Sequence, residues 1–147
     1  MDMDMYLLCL EYSDYIKLKE AIVDYFERTL GEHIEFDNHY LNEFDDYMEY
    51  TRCSLFSMYI ESEYTSKECE PEFTLEDYKI CTNISVYIKI YTDKIIESIH
   101  FLNVLIKNIE ELFQTNIVVL DDSSAVVYIS SSSKYYINKS FWSQKGK

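Results

Sequence analysis

The chain has very few of the residues that let a backbone bend closely around a ligand. Among its 147 residues are two glycines and one proline. Loops that cradle phosphates need glycine so that backbone amides can close on the oxygens. No G-x-G-x-x-G, Walker A loop or nucleophile elbow occurs in the sequence, which argues against dinucleotide, P-loop and elbow-serine chemistry. Basic charge is also scarce: 13 Lys and Arg face 27 Asp and Glu, a net charge of −14. Binding to nucleic-acid phosphates is driven by basic side chains that displace counterions, so direct nucleic-acid binding is disfavoured, as is attraction to an anionic membrane surface. Long apolar runs are missing too, and none approaches the roughly 20 residues of a membrane helix.

Cys9, Cys53, Cys69 and Cys81 include no C-x-x-C pair. The opening, Met1-Asp2-Met3-Asp4, is acidic where a secretory leader would be basic. The expectation is a cytoplasmic chain with reduced thiols. Cys9 and Cys53 read as small core residues in strands. A nucleophilic pairing of a cysteine with His33, His39 or His100 stays open at this point.

What is present describes a folded protein. Apolar residues make up 48% of the chain, too many for an intrinsically disordered one. The length fits a single domain over 1–147, with a frayed tail at 143–147. Residues 5–11 read as a strand. Ser13 reads as the N-cap of a helix over 14–30, in which Leu18, Ile22, Phe26 and Leu30 recur every four positions before Gly31 ends it. Residues 32–51 show no clean period. A strand is expected from Cys53 to Glu61, then an acidic connection over 62–79 around Pro71. Ile84, Val86, Ile88 and Ile90 alternate with Ser85, Tyr87, Lys89 and Tyr91, the pattern of a strand with one face buried. Ile95, Ile99, Leu102, Ile106, Ile109 and Phe113 then mark a helix over about 93–114. Short strands follow at 117–120, 125–130 and 135–137. The order β-α-β-β-α-β-β-β is best satisfied by an α+β fold, a single antiparallel sheet with two helices on one face.

Constellations for catalysis or metal binding are weak. Asp45-Asp46 and Asp121-Asp122 are adjacent pairs, and adjacency directs side chains apart; the second also sits where a hairpin wants turn formers. His33 and His39 lack the spacing of a zinc helix. Asp37, Glu43, Asp45 and Asp46 lack the register and the glycine of a calcium loop. No catalytic residue, metal or cofactor is expected.

The stronger signal is charge combined with tyrosine. Residues 1–77 hold 21 acids and 5 bases, whereas 78–147 hold 6 acids and 8 bases. Such asymmetry can steer a cationic macromolecule. The chain has 15 tyrosines, and those of the acidic half are interleaved with carboxylates. Tyrosine supplies contact area at low entropic cost and is enriched at interfaces. Asp37, Tyr40, Glu43, Asp45, Asp46, Tyr47, Glu49, Glu61, Glu63, Glu68, Glu70 and Glu72 are therefore the candidate partner-binding residues, the partner being a basic protein.

The C-terminal half carries a resemblance. Thr82-Asn83-Ile84-Ser85-Val86-Tyr87-Ile88-Lys89-Ile90 leads into the long helix. Ile117-Val118-Val119-Leu120-Asp121-Asp122 and Ser123-Ser124-Ala125-Val126-Val127-Tyr128-Ile129 follow, and the unit closes with Lys134-Tyr135-Tyr136-Ile137-Asn138 and Phe141-Trp142. Over residues 80–142 this resembles the Sit-type immunity proteins of bacterial polymorphic toxin systems, which are close to those of contact-dependent growth inhibition. Where the family's hairpin tends to carry arginines and a glycine, this chain has Tyr128, Ser130 and Ser131. The resemblance implies a non-enzymatic cytoplasmic inhibitor that occludes the active site of a cognate toxin C-terminal domain, with a basic nuclease (RNase or DNase) the expected partner. Two alternatives come from other classes: an acidic nucleic-acid mimic regulating a DNA- or RNA-binding protein, and a hydrolase with a carboxylate or Cys-His centre.

Overall fold

The computed structural model describes residues 1–9, 12–41, 46–62, 71–75, 78–82, 84–131 and 134–145. It is an α+β fold. Eight antiparallel strands form one open sheet, and the helices pack on one face of it.

The first strand, β1 (Asp2–Leu7), begins three residues earlier than expected. Its residues alternate between half-buried Asp2, Asp4 and Tyr6 and buried Met3, Met5 and Leu7. The two acids so near the terminus are the outward half of a strand pattern. Helix α1 (Tyr12–Leu30) buries Tyr15, Leu18, Ile22, Tyr25 and Phe26. Ser13 lies inside its first turn rather than before it, so it is not the N-cap expected from the sequence. Gly31 ends the helix with φ +66°, donating its N–H to the Glu27 carbonyl at 3.0 Å, a left-handed closure that suits glycine.

The stretch without a period contains two strands, β2 (Asp37–Leu41) and β3 (Asp46–Arg52), paired as a hairpin. Glu32 accepts from the backbone N–H and the hydroxyl of Ser54 at 2.9 and 2.7 Å, tying the loop after α1 to the turn leading into β4 (Phe56–Ser62). The expected acidic connection holds a second hairpin, β5 (Pro71–Leu75) with β6 (Tyr78–Cys81). Pro71 opens β5, a position where its missing N–H is tolerated.

Strand β7 (Ile84–Ile90) alternates as its sequence requires, burying Ile84, Val86, Ile88 and Ile90. Helix α2 (Ile95–Phe113) buries Ile99, Phe101, Leu102, Leu105, Ile106 and Ile109, and Gln114 closes it in the left-handed region. Strands β8 (Ile117–Leu120), β9 (Val126–Ser130) and β10 (Tyr135–Ile137) complete the sheet. One short helix, α3 (Lys139–Trp142), was not expected. The Asn138 side chain caps it by accepting from the Phe141 N–H at 3.1 Å, and the Trp142 indole donates to the Val127 carbonyl at 3.0 Å.

The strand order is β10-β9-β8-β1-β7-β4-β3-β2, which puts β1 near the middle between β7 and β8. Met3, Met5 and Leu7, with Phe56, Met58, Ile60, Ile117 and Val119, meet the apolar stripes of α1 and α2 in one core. Phe101 centres it, with ring centroids 4.7 Å from Tyr25, 5.0 Å from Phe26 and 5.9 Å from Phe56. On the opposite face Ile80 of β6 packs with Val118 and Ile129 in a smaller cluster, so the β5–β6 hairpin covers the β8–β9 end. No described helix is long and apolar enough to cross a membrane.

Candidate protein-binding face

The strand register brings residues from five strands into one transverse row on the helix-free face. Asp37 of β2 stands opposite Tyr50 of β3, Tyr50 opposite Tyr59 of β4, Tyr59 opposite Tyr87 of β7, and Tyr87 opposite Asp4 of β1. The Tyr50 and Tyr59 ring centroids are 4.8 Å apart and tilted by 46°. Those of Tyr59 and Tyr87 are 6.1 Å apart, tilted by 50°. All three rings are half-buried, so each keeps part of its surface open to solvent. Cross-strand aromatic pairs of this kind stabilise a sheet modestly, by about 0.2–1 kcal/mol each. The next row holds Arg52, Ser57, Lys89 and Asp2. The row on the other side includes half-buried Glu61, Ser85 and Tyr6.

Carboxylates gather where the tyrosine row meets β1. The Tyr87 hydroxyl donates to an Asp2 carboxylate oxygen at 2.7 Å, and Asp122, from the β8–β9 turn, accepts the Asp2 backbone N–H at 3.0 Å. Burial and then the charge of Asp2 hold the Asp4 carboxyl above its ordinary range. The Tyr87 hydroxyl is pushed up to about 12, first by its hydrogen bond to Asp2, with burial and the charges of Asp2, Asp4 and Asp122 adding to it. Among the described residues none of these three acids forms an ion pair, although Lys89 stands opposite Asp2 in the register. No group of three metal-ligating side chains occurs among the described residues.

The candidates from the sequence are dispersed. Asp37 is exposed on β2, and Glu61 is half-buried on β4. Tyr40 lies on β2, Asp46 and Tyr47 on β3, and Glu72 on β5. Glu43, Asp45, Glu63, Glu68 and Glu70 lie outside the described residues. Glu49 must be withdrawn from the partner surface. It is 4% exposed, accepts the Tyr15 hydroxyl, and pairs with Lys19 at 2.9 Å, while the Lys19 ammonium lies 4.7 Å from the Tyr15 ring centroid. Register puts Glu49 beside Ile60 on the helix-covered face, where it fastens β3 to α1.

Asp2, Asp4, Tyr87, Arg52 and Lys89 were not among the candidates. The signal for Asp2, Asp4, Tyr87 and Lys89 was the outward half of two alternating strands, while Arg52 lies in the stretch without a period; they become a site only once β1, β7, β4 and β3 are known to be neighbours. Of the groups considered for catalysis, Cys9 and Cys53 are buried, and burial raises both thiols, that of Cys9 to about 12. The thiolate a nucleophile needs is thereby disfavoured. His33 is exposed between Glu35 and Glu27, whose hydrogen bonds raise its pKa, and His100 contacts the Gln144 carbonyl. Asp121 accepts the N–H groups of Ser123 and Ala125, both at 2.9 Å, as a turn residue does. Comparison with known families, with characterised proteins and with solved structures finds no match.

Proposed function

We propose that the chain is a cytoplasmic immunity protein, a non-enzymatic inhibitor that binds and neutralises a cognate basic toxin domain. The observation that carries this reading is the helix-free sheet face, where a row of three half-open tyrosines ends among carboxylates that have no ion-pair partner among the described residues. Such a face suits a protein partner: aromatic rings supply contact area, and a basic surface supplies the missing counter-charge. A net charge of −14 favours fast, salt-sensitive encounter with a cationic partner. A basic nuclease fits best, since its substrate cleft presents the charge that this surface lacks. The same acidity also suits a nucleic-acid mimic acting on a DNA- or RNA-binding regulator, and the identity of the partner separates the two.

The test is co-purification of the tagged chain with the products of its neighbouring genes, eluted at low and at high salt. A stoichiometric complex with a basic domain that is lethal when expressed alone is the expected result. Recovery of the chain without such a partner, or with a host nucleic-acid-binding regulator, would overturn it.

A further inference from the structure

Resting on the binding role proposed above, we infer that the tyrosine row of the helix-free face is an arginine-recognition surface, occupied by an extended arginine-bearing segment of the partner. Three features argue for this occupant. The row runs across β2, β3, β4, β7 and β1, about 19 Å at the usual strand spacing. Alternate side chains of an extended segment recur about every 7 Å, near the 6.1 Å between the Tyr59 and Tyr87 ring centroids and longer than the 4.8 Å between those of Tyr50 and Tyr59, a difference the long arginine side chain can take up. Successive cationic side chains can therefore meet successive rings.

The second feature is charge. Asp37 stands at one end of the row, and Asp4, with Asp2 and Asp122 beside it, at the other. A planar guanidinium stacks on a phenol ring and presents parallel N–H donors to a carboxylate, whereas an ammonium is a compact, strongly hydrated point charge. The third feature is the neighbouring row. Arg52 and Lys89 are exposed two residues along their strands from Tyr50 and Tyr87, on the same face. They repel cations from that side and so define a lane along the tyrosines. The raised Tyr87 hydroxyl keeps that ring a neutral phenol over the physiological range, its proton held by Asp2.

The experiment titrates the full chain with a fluorescent arginine decapeptide and with a lysine decapeptide, read by anisotropy at low and moderate salt. The arginine peptide is expected to bind several-fold more tightly. Tyr59→Val, which keeps a strand-forming residue at the centre of the row, should weaken it about tenfold. The double change Asp2→Asn with Asp4→Asn should weaken it and flatten its salt dependence. Glu97→Gln with Glu111→Gln, on the exposed side of α2, should leave it unchanged. Equal affinity for both peptides, or an equal loss from the α2 variant, overturns the inference, because binding would then follow bulk charge.

The same Tyr59→Val variant in the co-purification separates the two claims. A partner retained at undiminished affinity refutes this docking site and leaves the neutralising role standing. Absence of any basic partner, with arginine-selective binding to the row intact, refutes the neutralising role instead.

Discussion

The ion pair between Lys19 and Glu49 offers a sharp test of what the acidic half does. Removing the lysine with Lys19→Met leaves the buried Glu49 carboxylate, which still accepts the Tyr15 hydroxyl, without its Lys19 counter-charge. A buried pair broken from one side costs about 3–5 kcal/mol, because the surviving charge is uncompensated. The side chain of Glu49 is 6% exposed and that of Lys19 is 19% exposed, so water reaches the site from the lysine side and the lower figure, about 3 kcal/mol, applies. Glu49→Leu should cost less, about 2 kcal/mol, since the orphaned lysine can extend its head into solvent. The double variant should cost less than the sum of the singles by at least about 1.5 kcal/mol, because replacing both partners by apolar groups is often close to neutral. Urea unfolding reads this directly. With a slope of about 2 kcal/mol/M for a domain of this size, Lys19→Met should move the midpoint down by about 1.5 M. A midpoint within 0.25 M of the wild type, or strictly additive single costs, would refute the latch between α1 and β3. A Glu49→Gln variant that still folds should retain partner affinity. A large loss there would return Glu49 to the binding surface.

Two further outcomes follow from the same structure. Burial and the charge of Asp2 raise the Asp4 carboxyl, so its ionised form is disfavoured in the folded state and its penalty acts above the folded pKa. Asp4→Asn should therefore stabilise the protein at pH 7 by a few tenths of a kcal/mol, discounted for solvent screening, and the gain should disappear by about pH 3, where the wild-type carboxyl is protonated in both states; thermal melts at the two pH values check this, and a gain that persists at pH 3 would contradict it. Asn138→Ala removes the side-chain cap of α3 at a cost of about 1 kcal/mol, and the fluorescence of Trp142, the chain's single tryptophan, should report the loosening of α3 from β9 before global unfolding.

Legibility in the sequence follows whether a pattern is satisfied locally. Helices α1 and α2 were visible because Leu18, Ile22 and Phe26, and Ile99, Leu102 and Ile106, repeat at the helical period and meet the same core. Strand β7 was visible because one of its faces is apolar throughout. Strand β3 was hidden because its core-side positions include Glu49 and Thr51, both buried. A charge in that register reads as a solvated loop until its partners on α1, 30 and 34 residues away, are known. The tyrosine row was hidden for a different reason. Tyr50, Tyr59 and Tyr87 are ordinary outward residues of three separate strands, and only the register makes them neighbours.

The same topology changes how the charge asymmetry should be understood. Along the chain, acids crowd into the first 77 residues, which suggests an acidic hemisphere set against a neutral one. In space β1 sits between β7 and β8, so Asp2 and Asp4 are delivered into the C-terminal half of the fold, beside Tyr87 and Asp122. Asp37 arrives at the far end of the same row from an edge strand. Acids separated by up to 120 residues thus bracket one set of rings, while Glu49, in the densest acidic stretch, is buried against a lysine. A directional field in this protein therefore depends on sheet order more than on chain position. Charge reversal at Asp2 and Asp4 should accordingly slow association with a cationic partner more than reversal of an equal number of exposed acids on the outer side of α1, such as Glu20 and Asp24. Stopped-flow association rates at low salt decide between the two: equal slowing by both pairs would mean that total charge, rather than its placement on the tyrosine face, sets the encounter.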